Sequence, residues 1–167
     1  MKILFRVAVI YQIAIWIITV YGYSAGILNS IWTNKDSVSF MASIAVIVFS
    51  VIVLISNLYL LIGNNTSKYF KNLVFNKWLN FLQIINISLL GLSFYLTVGI
   101  QILVYYIYDN SQRISLVYGF FKLRLNCTYV ESNIIFVGVN ILPLFLFFIF
   151  NKVIEQKKLK MISDLIS

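Results

Sequence analysis

The carboxylates of Asp36, Asp109, Glu131, Glu155 and Asp164, the single thiol of Cys127 and a complete lack of histidine set the chemistry this chain could do. General acid–base catalysis needs titratable groups held together in a partly dry site. All five carboxylates fall between or beyond the long apolar runs, so no catalytic pair is expected at membrane depth. Zinc sites are built from histidine and cysteine sets and haem usually takes an axial histidine, so neither is expected within the chain. A lone cysteine forms no internal disulfide and no Cys-x-x-Cys redox pair. No phosphate-cradling glycine loop or hydrolase elbow is present. The expectation is a protein without enzymatic activity, resident metal or cofactor.

What must position the remaining polar side chains is a set of four apolar runs, residues 4–32, 38–62, 79–108 and 134–150. A bilayer core takes about 20 apolar helical residues to cross. The runs therefore predict an all-α integral membrane protein, four transmembrane helices in an antiparallel bundle with short interfacial amphipathic segments. At 61% hydrophobic and 11% charged, the chain has too few polar groups to cover a soluble surface. A single domain of 167 residues is expected, with an outer segment over 109–133 and a cytoplasmic tail over 151–167. The run behind Lys2 and Arg6 continues to Trp32, beyond the roughly 7–15 residues of a signal-peptide core, and reads as a retained helix.

Nine of the 13 cations (Lys2, Arg6, Lys68, Lys71, Lys77, Lys152, Lys157, Lys158 and Lys160) fall on one side of a four-span layout. Cationic loops resist translocation, which predicts both termini in the cytoplasm of a bacterial inner membrane, or in the matrix of a mitochondrial one. The net charge of +8 is thus read against anionic lipid, with no nucleic-acid partner expected. Phe70, Leu73 and Val74 stand at helical spacing among lysines, either as an interfacial helix or as a basic loop. The tail alternates Ile154, Met161, Ile162, Leu165 and Ile166 with lysines in the same manner.

Uncharged amides are the positive signal inside the runs. Gln12, Asn57 and Gln83 or Asn86 lie about 6–9 residues from the inner edge, roughly 9–13 Å deep, and Gln101 with Asn140 would form a second layer near the outer edge. Amides in hydrocarbon seek one another, each interhelical bond contributing about 0.6–2 kcal/mol. Gly22 and Gly26 form a GxxxG arrangement, and Ala42 with Ala45 gives a second slim face, for packing within the bundle or against another subunit. Pro143 is expected to kink the fourth helix. In the outer segment, Tyr118, Phe120, Phe121, Lys122 and Arg124 make an aromatic and cationic patch, an interfacial anchor or a partner surface.

The four-pass layout, with both ends inside and a longer second outer segment, resembles in organisation the immunity proteins that protect bacteria from pore-forming colicins. Gly119 to Leu123 has their aromatic and basic character, whereas the first outer connection is far shorter than theirs. Two functions are expected from these features. One is lateral contact with another integral membrane protein, as an accessory subunit or immunity-type factor. The other is an oligomeric channel or facilitator lined by Asn57, Asn86, Gln101 and Asn140.

Overall fold

The computed structural model describes residues 1–33, 37–63, 67–89, 92–108, 113–129 and 135–166. In chain order these form α1 (Lys2–Thr33), α2 (Ser37–Ile62), α3 (Ser67–Ile84), β1 (Ile85–Leu89), β2 (Leu92–Tyr108), β3 (Arg113–Tyr129), β4 (Ile135–Asn140) and α4 (Ile141–Ile166). The all-α four-helix bundle is therefore wrong. Among the described residues, only Lys2–Leu28 and Phe40–Ile62 are long and apolar enough, as helices, to cross a membrane. The third run leaves the helix at Ile84 and continues as two strands, and the fourth begins as a strand. The resemblance to four-pass immunity proteins goes with it. Two compact units, Met1–Asn76 and Lys77–Ser167, divide the chain inside α3.

In the first unit α1 and α2 pair through one stripe each. Phe5, Ala8, Val9, Gln12, Ile15, Trp16 and Thr19 are buried at alternating steps of three and four, as are Ser50, Val53, Ser56, Asn57 and Leu60 on α2. Trp16 and Phe49 meet edge to face at 5.8 Å. The opposite faces are equally apolar but exposed, with Ile3, Val7, Ile10 and Ile17 on α1 and Val48, Ile52 and Ile55 on α2.

Strand chemistry replaces helix chemistry after Ile84. Isoleucine, valine, tyrosine and phenylalanine make up half of 85–108, residues whose branched or aromatic side chains fit a pleated surface. The sheet order is β1-β4-β2-β3, and β1 also pairs with β2. β1 runs antiparallel to the start of β2 (Ile87↔Phe94, Leu89↔Leu92) and antiparallel to β4 (Asn86↔Gly138). β4 is in turn antiparallel to the end of β2 (Leu103↔Asn140, Tyr108↔Ile135). Three straight strands cannot all be mutually antiparallel, so β2 changes direction between Phe94 and Leu103. The turning point is Gly99, whose φ of 104° suits a residue without Cβ. Directly beyond it the β2–β3 register shifts: Ile100 alone spans the interval that Phe120 and Phe121 occupy between Gly99↔Lys122 and Gln101↔Gly119. Two residues against one is a β-bulge, which bends its strand and increases local twist.

α4 follows β4 without a break, and this corrects the reading of Pro143. Two residues into the helix, it occupies the first turn, where backbone N–H groups have no intrahelical acceptor in any case. No kink is needed. The helix then continues through Asn151 into the expected tail, burying Leu146, Ile149, Phe150, Val153 and Ile154. Phe81 and Phe147 join α3 to α4 at 5.7 Å, and the Lys77 ammonium sits 5.2 Å from the Phe147 ring centroid. Such a cation over an aromatic face is attracted by the ring quadrupole.

Candidate functional site: an amide-lined interior under an apolar sheet

The sheet of the second unit is inverted relative to one that faces water. Across β1, β4 and β2, the rows Ile85–Val139–Val104 and Ile87–Val137–Tyr106 point outward. All of these are exposed except the half-buried Ile87. The alternating rows point inward and carry Asn86 and Ser88 from β1, Gly138 and Asn140 from β4, and Leu103 and Tyr105 from β2. Asn86, Ser88, Thr97, Gln101 and Asn140 are all buried. A sheet with one wetted face alternates the other way, apolar in and polar out.

The inward amides serve the bend in β2. Where the strand turns and slips register, ladder partners are lost, and a buried N–H without an acceptor costs about 1–3 kcal/mol. Gln83, in the last turn of α3, accepts from the backbone N–H of Val98 at 3.1 Å through Oε1, and its Nε2 donates to Leu79 O at 3.3 Å. Asn140 accepts from the backbone N–H of Ile102 at 3.2 Å through Oδ1. These donors flank Gly99 and the bulge. Thr97 Oγ1 donates to Asn86 Oδ1 at 3.4 Å, tying β1 to the same stretch of β2.

The first unit has a different amide cluster. Asn76 Nδ2 donates to Ser56 Oγ at 2.9 Å and Ser56 Oγ donates to Asn72 Oδ1 at 3.0 Å, linking α2 to α3. Sequence reasoning missed these three residues, although Asn72, Asn76 and Asn80 recur every four positions and so share one helix face. Asn57 donates to Val53 O of its own helix at 2.9 Å, and Thr19 and Ser50 bond the carbonyl four residues back in the same way.

The expected site residues are distributed as follows. Gln12 and Asn57 are buried in the first unit, whereas Gln83, Asn86, Gln101 and Asn140 are buried in the second. Asn86, Gln101 and Asn140 stand on strands, which rules them out as helix–helix contacts. Gly22, Gly26, Ala42 and Ala45 are exposed, and a Cβ added at Gly22 or Gly26 would meet nothing within 4 Å. Tyr118 is 71% exposed on β3. The side chains of Phe120, Phe121, Lys122 and Arg124 lie outside the described residues, although their backbone belongs to β3. The segment over 67–84 is helical, with Leu73 buried and Lys68 and Lys71 exposed.

No charged side chain is among the inward residues named. Among the described residues, no three of His, Cys, Asp and Glu come together to hold a metal. At the far end of α4, burial, and secondarily the charge of Lys160, hold the Lys157 ammonium below the usual lysine range. Comparisons with protein-family models, with curated proteins and with solved structures gave no match.

Proposed function

We propose that this is a membrane-embedded protein without catalytic activity that acts by lateral contact of its apolar exterior with another integral membrane protein. The observation that carries this reading is the inverted sheet: isoleucine and valine rows face outward while amides face inward. In water that arrangement exposes apolar area and buries polar groups, both unfavourable. In lipid or against an apolar partner both signs reverse. The helical hairpin supports the same reading, because only 39% and 28% of its two apolar stretches is buried, too little for core helices of a soluble domain. Lys2 and Arg6 at the start of α1 and Lys68, Lys71 and Lys77 after α2 outnumber Lys35 between the two helices in sequence, which orients the open end of the hairpin toward the cytoplasm of a bacterial inner membrane.

Alkaline extraction of membranes, followed by purification in mild detergent, tests the proposal. The protein is expected to stay in the pellet and then to co-purify with a different integral membrane protein in fixed ratio. Release into the alkaline supernatant contradicts embedding. Isolation as a ring of identical chains that passes solute in liposomes would favour a channel, the second reading, which the amide-lined interior supports.

A further inference from the structure

Two carboxamide donors in the sheet interior have no acceptor among the described residues: Nδ2 of Asn86 and Nδ2 of Asn140 are buried without a hydrogen-bond partner there. The orientation of Asn140 follows from its partner. The backbone N–H of Ile102 can only donate, so the Asn140 atom 3.2 Å away is its oxygen and the NH2 points elsewhere. The Asn86 oxygen accepts from the Thr97 hydroxyl at 3.4 Å, which leaves its NH2 as the unpaired group. Asn86 lies opposite Gly138, and Asn140 is two residues further along β4, so the two amides are diagonal neighbours on one face, about 7–8 Å apart at Cα. Between them Gly138 contributes no side chain.

We propose that this interior position is a binding site for a neutral oxygen acceptor shared by Asn86 and Asn140. Donors alone recruit an acceptor and repel a cation. An anion is disfavoured because none of Asn86, Ser88, Thr97, Gln101, Gly138 and Asn140 carries a positive charge, and a buried charge without a partner is far costlier than a buried dipole. The acceptor is supplied either by a bound water or by the hydroxyl or carbonyl oxygen of a small uncharged ligand, and both satisfy the same two donors. The site is independent of what covers the outer face of the sheet.

The test uses the full chain in lipid nanodiscs with 15N-labelled asparagine side chains. Magnetisation transfer from water to the Asn86 and Asn140 NH2 protons is measured, with assignment by loss of each signal in Asn86→Ser and Asn140→Ser. In parallel, solvent extracts of wild type and of both variants are compared by mass spectrometry. Transfer to both amides without an extracted compound assigns the site to water. An uncharged compound present in the wild-type extract and lost from Asn86→Ser, whose hydroxyl still serves Thr97, assigns it to an organic ligand. Should Asn140→Ser not fold, Asn86→Ser carries the same readouts. The absence of both water transfer and a retained compound overturns the proposal, and so does an anionic occupant.

Discussion

The helical hairpin of α1 and α2 and the sheet unit bury amides under apolar exteriors, yet the amides do different jobs. In the hairpin the backbone of a helix interior pairs with itself, and Asn57 merely adds a second bond to Val53 O. In the sheet the bend at Gly99 and the bulge beside it free backbone donors, and Gln83 and Asn140 supply the missing acceptors. An amide within a straight helix is optional for the backbone, whereas one at a broken ladder is structural. That difference ranks the expected mutational effects.

Asn140→Leu and Gln83→Leu should be the most damaging, each costing about 1–3 kcal/mol because the N–H of Ile102 or Val98 is left buried without an acceptor. Their donors are distinct, so the double variant should lose close to the sum in a denaturation series. Strong coupling between them would break the contrast, since it would mean that the two amides share one partner.

Gly99→Ala should follow, at about 1–2 kcal/mol, since a φ of 104° is strained for any residue with a Cβ. A neutral result would show that β2 turns elsewhere. Asn57→Leu should cost less than about 0.6 kcal/mol, or stabilise, because the bond it removes goes to a carbonyl already used by the helix. A loss as large as that of Asn140→Leu would erase the distinction between the two units.

The smallest effect is expected from Lys157→Gln. Burial and Lys160 lower the folded-state pKa of Lys157, so its contribution to stability is present above the ordinary lysine pKa and is lost as pH falls through the lowered value. Glutamine removes the cost of burying a charge, so the variant should melt slightly higher at neutral pH. The gain should vanish above the usual lysine range, where wild type is neutral in both states.

How much of this was legible can be argued from the third apolar run. Length and hydropathy favour a helix over 79–108, but the polar positions within it do not. Asn86 and Ser88 are two apart, as are Thr97, Gly99 and Gln101, a period of two that marks one face of a strand. In β4 the period recurs as Gly138 and Asn140 between Val137 and Val139. Hydrophobicity alone misleads here because the alternation has inverted sign: the apolar face is outermost, so polar positions no longer mark the surface. The first two helices were legible because they are uniform in composition and are bounded by polar residues in the sequence. The amides of the later runs were legible as buried, but their partners were not. No local pattern announces that β2 bends back on β4, since that depends on one glycine and on pairings far apart in sequence.

The inverted sheet is tested most directly by oxygen and water-soluble relaxant accessibility of spin labels placed singly at residues 137, 138, 139, 104 and 106, in a Cys127→Ser background and in nanodiscs. A strand with its apolar face toward lipid or an apolar partner requires period-two behaviour, with 137, 139, 104 and 106 shielded from the water-soluble reagent, and 138 shielded from both. Water-soluble reagent reaching 137 and 139 freely, or accessibility varying with a helical period through this stretch, would contradict it.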